Sequence, residues 1–533
     1  MSAISKAPLA RPTSLPDAEI LIEQLQQKLE HAEQKAHVAE QKLQVAELQV
    51  QKLEEQLRLR RIEKYGPGSE KLSNLQLELL EGEPGVSDAE VQAESERPLL
   101  NGAVTEVLVR EHTRRKHPGR QTLSPELPRV ERVIPCPAEQ CICQQCGQPT
   151  AVIGYEVSEQ LEVEPAKYFV VVTKREKRAC KCGRNGVVTA PVPKRIIDKG
   201  LVSDGVVIDT IIRKYCDHLP LYRQSRILQR EAGLELSRGT MDGWVMQVGQ
   251  LLIPVVQGMK NELLQGGYIQ ADETPVAVQM HDGRRRNHQA YLWQYSRPGG
   301  AVIFDFRLGR GREGPKQFLG SYAGVLQTDG YQAYEQVGGP GMVHAACWTH
   351  ARRGFAEVVK LNPGDPVALA IVEQINQLFT LDARARQQGL GLADRDRLRR
   401  ENAPTVLEAI RSGIEKARAS ALPGCALHKA CQYTLGLWPK LTRFLEHPEL
   451  ELSNNLAENS MRPVAVGRKN WIHVGSPQAG PKVAAILSVI ETCRKNQIPV
   501  REYLSAVLPG LANRALHTLS ELLPIAWAAR RQS

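Results

Sequence analysis

From Ile22 to Leu57 apolar residues recur at alternating spacings of three and four without a break. Ile22, Leu29, Ala36, Leu43, Val50 and Leu57 occupy one heptad position and Leu25, Ala32, Ala39, Ala46 and Leu53 the other, so every core position is apolar. That period predicts a coiled coil over 17–65, after a proline-containing lead over 1–16 expected to be disordered. Lys28, Lys35 and Lys42 fall at g and Glu33, Glu40 and Glu47 at the following e positions, the pairing of a parallel homodimer. Each such pair contributes roughly a few tenths of a kcal/mol, but the set fixes orientation. The period lapses over 66–125, an acidic, Gly-, Pro- and Ser-rich linker followed by a cationic arm. Strict alternation from Tyr155 to Lys174 then predicts a β-hairpin inside a module spanning 126–195.

Helical spacing returns over 196–264. One helix ends at Ala232, Gly233 turns the chain, and Ser237 caps a second helix; the pair resembles a helix-turn-helix, or serves as packing helices leading into the next domain. From 265 to 475 the pattern changes to short apolar runs. Gly267–Pro275 reads as a short strand that Pro275 limits, followed by strands at Gln289–Ser296 and Ala301–Arg307, a helix over 313–321, and strands at Ala323–Tyr331 and Met342–Cys347. This order is that of a ribonuclease-H-like mixed sheet, with the first and fourth strands as neighbours. A helical insertion is expected over about 355–450, closing helices over 476–533 and a peripheral last stretch of about twenty residues. The fold class is multidomain α+β.

Two of those strands end in an acid, Asp272 and Asp329. A third acid, Glu458, sits in Leu452–Pro463, where Ser453 or Asn454 would cap a short helix and Pro463 stop it. Two strand-end aspartates and a helical glutamate suit a two-magnesium phosphodiester site, because hard cations take oxygen ligands. Arg462, Arg468, Lys469 and Trp471 surround the third acid with cationic and stacking groups fit to grip phosphate. Cys347 and His350 read as a core thiol and a packing histidine rather than metal ligands.

Charge supports a polyanionic partner: the 533-residue chain carries +10 with a pI near 9.0. Arg114, Arg115, Lys116 and Arg120 on the linker arm read either as phosphate or minor-groove contacts or as a solvated basic segment. No apolar run approaches the roughly 18 residues of a membrane span, and no signal peptide precedes the first helix, so a cytoplasmic location is expected. Eleven cysteines in a chain of this length argue for metal ligands and free thiols over a disulfide framework. Cys143 and Cys146 form a C-x-x-C-G knuckle, and Cys180 and Cys182 offer a second pair after 33 intervening residues. Four thiolates would make a structural zinc ribbon, although Cys136 and Cys141 lie close enough to compete as ligands.

These strings resemble the transposases of the insertion-sequence-66 family. The matching segments are Ala271–Pro275, Thr328–Tyr331, Cys347–Arg353, Asn454–Glu458, Gly467–Trp471 and Tyr503–Leu508, and the likeness runs from about residue 20 to about 512. It implies an Asp-Asp-Glu enzyme that binds terminal inverted repeats and target DNA, exposes a 3′-hydroxyl and joins it to a new site. Asp272, Asp329 and Glu458 would hold two Mg²⁺ (or Mn²⁺) ions, a zinc module would occupy the cysteine region, and accessory proteins of the same element could assist. The family's second knuckle is expected with two residues between its cysteines, whereas Cys180 and Cys182 have one. Two rival readings are a nuclease or resolvase that cuts without joining, and a non-catalytic DNA-binding regulator.

Overall fold

A computed structural model describes residues 168–179, 187–198, 200–283 and 286–532, together with position 148 and scattered positions between 25 and 53. The described positions between 25 and 53 are helical, and Leu25, Leu29, Val50 and Leu53 are all exposed on the single chain. Arg114, Arg115, Lys116, Arg120, Cys143, Cys146, Cys180 and Cys182 lie outside the described residues.

The chain divides into two units. In the smaller, which takes in 103–191 and 226–235, β1 (Lys177–Ala179) pairs antiparallel with β2 (Val187–Thr189). Of the hairpin predicted over Tyr155–Lys174, 155–167 lies outside the described residues and Tyr168–Lys174 carries no strand.

In the larger unit α1 (Asp204–Tyr215) leads to α2 (Leu221–Ala232), whose second half belongs to the smaller unit, and then to α3 (Arg238–Leu264). The turn and cap fall where the sequence placed them: Gly233 has φ +64, and Ser237 Oγ accepts from Thr240 N at 3.0 Å. The second helix is longer than a groove-reading helix needs, at 27 residues, and buries Met241, Val245, Val248, Leu252, Val255 and Met259. It packs along much of its length. A Cβ added at Gly249 would lie 2.7 Å from Lys482 Cβ, which marks a close helix crossing. Gly249→Ala should therefore lower stability by about 1–3 kcal/mol in denaturant unfolding, against the slight gain an open helical glycine would give.

The central sheet has the order β5-β4-β3-β6-β7. Its strands are β3 (Tyr268–Val278), β4 (His288–Ser296), β5 (Val302–Arg307), β6 (Val325–Thr328) and β7 (Val343–Ala346). The first three form an antiparallel meander; β6 pairs parallel to β3 and β7 parallel to β6, with α4 (Glu313–Leu319) crossing between. The order and the adjacency of first and fourth strands follow the sequence expectation.

After α5 (Trp348–Leu361) come α6 (Pro366–Gln387), α7 (Leu392–Ser420) and α8 (Ala426–Gly436), the expected helical insertion. Phe355, Ile371, Ile375, Leu407, Ile410 and Ile414 fuse these helices into one core. The chain returns through α9 (Asn455–Trp471) to α10 (Gly480–Lys495). In the latter, Val483 through Cys493 are all buried. Its buried hydroxyls, Ser488 and Thr492, bond to β5. Ser488 Oγ accepts from Phe304 N at 2.8 Å, and Thr492 Oγ1 accepts from Val302 N at 2.9 Å and donates to Val302 O at 3.0 Å. They satisfy the outer backbone of β5 and close the sheet edge. The tail, α11 (Val500–Val507) and α12 (Pro524–Gln532), is docked rather than peripheral: Trp527 meets Tyr503 edge-on at 5.4 Å, and Tyr503 Oη donates to Leu522 O at 2.6 Å. Among the described residues no helix is long and apolar enough to cross a membrane.

Candidate active site

Strand register brings the two aspartates together. Gln270 is the last β3 residue paired with β6, opposite Gln327. Asp272 lies two residues beyond the one and Asp329 two beyond the other. Because side chains alternate, Asp272 points to the face on which Gln270 Nε2 meets Gln327 Oε1 at 3.1 Å, and Asp329 sits in the bend just past the end of β6. Past Asp329 the chain turns at Gly330, φ +91, where a Cβ would also strike Leu437 Cδ1 at 2.6 Å. The turn is held by Tyr331 N donating to Asp329 Oδ1 at 2.9 Å and Gly330 N donating to Thr328 Oγ1 at 3.1 Å.

Asp272 is mid-strand, not at the end of a short strand as the sequence suggested. β3 continues through Pro275 to Val278 along β4. The missing N–H of proline costs no ladder bond there, because the opposite edge of β3 is free of β6 beyond Gln270. The Pro275 carbonyl faces that edge and accepts from Arg468 Nη1 at 2.7 Å.

Glu458 arrives from the first turn of α9. Asn454 sits at the N-cap position without using its side chain, and Pro463 lies inside the helix rather than ending it. A central proline removes one helical bond at a cost of about 3 kcal/mol, a loss offset by burial of Met461, Val464 and Gly467 on either side. Two basic side chains from α5 face the carboxylate. Arg353 Nη2 donates to Oε2 at 3.1 Å, and His350 Nδ1 stands 3.5 Å from Oε1 without a hydrogen bond. Burial alone would lower the His350 pKa, but the neighbouring Cys347 sulfur and Glu458 outweigh it and raise it to about 9. Donor atoms of Cys347, His350 and Glu458 lie within 4.8 Å of one another, a convergence the packing interpretation of Cys347 and His350 did not foresee.

The electrostatics of Asp272 link the three acids. Burial, then the charges of Glu458, Glu273 and Asp329, push its carboxyl up to about 8 against one opposing backbone hydrogen bond from Glu273 N. It has no cationic partner among the described residues. Nearby, Glu458 Oε1 and both side-chain polar atoms of Asn454, Asn459 and Gln294 are buried without hydrogen-bond partners. Gln294 stands directly across the ladder from Asp272. A cluster of carboxylates beside orphaned polar atoms fits hydrated divalent cations and phosphate oxygens.

Several contributors were not legible beforehand. Glu273, on the opposite face of β3, accepts from Arg310 Nη2 at 2.7 Å and from Tyr334 Oη at 2.9 Å; Arg310 in turn lies over the Tyr331 ring at 4.1 Å. This chain of contacts braces the loop that carries Asp329. Arg468 is engaged internally, donating to Thr274 Oγ1 at 2.8 Å as well as to Pro275 O. Lys469 is exposed on α9, Arg462 and Trp471 are half-buried, and Trp471 folds back toward Gly467.

A family model described as Transposase IS66 family matches residues 199–482. Two more, described as Transposase C of IS166 homeodomain and as zinc-finger binding domain of transposase IS66, match 52–132 and 140–183. The zinc-finger match spans all four candidate cysteine ligands. Uncharacterized protein y4jD of Sinorhizobium fredii is 31% identical over 424 residues, covering 76% of this chain and 82% of the relative. Uncharacterized protein y4hP of the same organism is 29% identical over 505 residues, covering 89% and 88%. With over half its length inside the transposase model and its zinc-finger region matched separately, the chain belongs to the IS66 transposase family.

Proposed function

We propose that the chain is an Asp-Asp-Glu DNA transposase with a ribonuclease-H-like catalytic domain, cutting at terminal inverted repeats and joining the freed end to target DNA. The register of β3 against β6 carries the proposal: it makes neighbours of Asp272 and Asp329, and Glu458 is the strongest charged influence on Asp272. Asp272, Asp329 and Glu458 would hold two magnesium or manganese ions, which when bound activate the attacking oxygen and stabilise the leaving one. Asp272 on β3 and Asp329 just past the end of β6 would present oxygens from neighbouring strands of one sheet. Glu458 comes from a helix and would complete the set on release from Arg353 and His350. Lys469 and Arg462, with Arg114, Arg115, Lys116 and Arg120 of the arm, would bind phosphates; Trp471 would position the strand; and Arg468 would align α9 on β3.

Cys143, Cys146, Cys180 and Cys182 would hold structural zinc, and 17–65 would pair two copies as a coiled coil. The remaining boundaries follow the sequence reading: linker 66–125, zinc module 126–195, helical region 196–264, catalytic domain 265–475 and closing helices 476–533. A cytoplasmic enzyme acting on double-stranded DNA, with or without accessory proteins, fits this arrangement. Glu458→Gln tests it in single-turnover cleavage of a labelled transposon-end duplex with Mg²⁺. Cleavage should fall about a hundredfold or more while duplex binding is kept. Undiminished cleavage would remove Glu458 from the site.

A further inference from the structure

Beneath the acids lies a closed polar network with no counterpart in the sequence motifs. Tyr268, Gln270 and Gln327 are 6%, 1% and 1% exposed. Tyr268 Oη donates to Gln327 Oε1 at 2.5 Å and accepts from Gln270 Nε2 at 2.7 Å. Gln327 Nε2 donates to Glu451 O at 2.7 Å and Ala346 O at 3.4 Å. Gln270 Nε2 donates to Ser453 O at 2.9 Å, and its Oε1 accepts from Ala457 N at 3.4 Å. Each amide orientation is fixed by its partners, since a flip would set donors against donors.

The placement is specific. Gln270 and Gln327 are paired across β3 and β6, and each precedes one of the two aspartates by two residues, Asp272 on the same face of β3 and Asp329 just past the end of β6. Their other contacts grip Glu451, Ser453 and Ala457, the segment that launches α9 and ends one residue before Glu458. We infer that Tyr268, Gln270 and Gln327 are positioning residues that set Glu458 against Asp272 and Asp329, so that the strand pair and the helix act as one cation-binding unit. The inference rests on the reading of those three acids as a metal centre.

Mn²⁺ binding to the full-length protein, followed by electron paramagnetic resonance, tests it without requiring turnover. Gln270→Met keeps the volume and removes both contacts to the α9 launch; it should weaken Mn²⁺ binding about tenfold, as loss of an outer-shell partner does. In a Glu458→Gln background the same change should have little further effect, because its target is already gone. A general loosening of the sheet would instead lower affinity by the same factor in both backgrounds, and that result overturns the network. Tyr268→Phe removes only the shared hydroxyl and should show a smaller loss of the same dependence on Glu458, which keeps the test decisive if Gln270→Met does not fold. Mn²⁺ binding that ignores both substitutions defeats the network alone. A wild-type protein that binds no Mn²⁺ defeats the metal-centre reading itself.

Discussion

Asp272→Asn is expected to abolish cleavage and joining and, in the same protein, to raise the melting temperature of the metal-free form at pH 8. The two effects have one origin. Asp272 is held among Glu458, Glu273 and Asp329 in a buried setting that pushes its carboxyl up to about 8. In the unfolded chain an aspartate releases its proton near pH 4. The folded state therefore retains the proton over an interval in which the unfolded state has lost it. The stability linked to Asp272 is complete below about pH 4 and lost as pH rises to about 8. For coupled acids the loss is on the order of a few kcal/mol, and asparagine, which never ionises, escapes it. Thermal melts of metal-free protein from pH 5 to 8 should show wild type falling relative to Asp272→Asn, with the gap closing at low pH. Activity should drop on the order of a thousandfold, since a neutral amide cannot supply the charge that draws divalent cations. Equal pH dependence in the two proteins would mean that the acids do not crowd one another.

The second large effect lies in the helical insertion. Asp382 is 2% exposed in its side chain and receives Arg399 through both oxygens, at 2.8 Å and 2.9 Å, and Arg395 at 2.7 Å. Arg399, 1% exposed in its side chain, also donates to Leu450 O at 2.7 Å, and Arg395 reaches Glu451 at 3.1 Å. Burial works against the Asp382 charge, but Arg399 and Arg395 outweigh it and hold the carboxyl below its usual range. Asp382→Ala leaves the buried Arg399 without a carboxylate and Arg395 with Glu451 alone, and should cost about 3–5 kcal/mol in urea unfolding. Its contribution is present above the ordinary carboxylate range and lost as pH falls through the lowered pKa, so the wild-type advantage over Asp382→Ala should shrink in acid. Glu451 also belongs to the stretch that positions α9, so the variant should lose activity before it unfolds. A cost below 1 kcal/mol would show that the insertion does not depend on this cluster.

Local patterns made the central sheet legible before the structure. Short apolar runs separated by turn signals located its strands, and the order of elements required β6 to lie beside β3. Residues whose role depends on distant partners were not legible. Pro275 looked like a strand breaker because sequence cannot show that β3 has an open edge beyond Gln270. Pro463 looked like a stop because its flanking buried residues find their partners only after folding. Gln270 and Gln327 look like ordinary strand glutamines until register sets them opposite each other, 57 positions apart. Cys347 and His350 suggested packing, and only the return of the chain over more than a hundred residues brings Glu458 to them. The acids were visible because two ended apolar runs and the third stood in an amide-rich, cationic segment.

The central claim is that Asp272, Asp329 and Glu458 together transfer a DNA end. Its most direct test is single-turnover joining of a pre-cleaved terminal-repeat duplex, bearing a free 3′-hydroxyl, into plasmid DNA with Mg²⁺, comparing wild type with Asp329→Asn. A covalent end–plasmid product made by wild type and missing from Asp329→Asn is the predicted result. Hydrolysis without joining in wild type, or joining undiminished in Asp329→Asn, would contradict it.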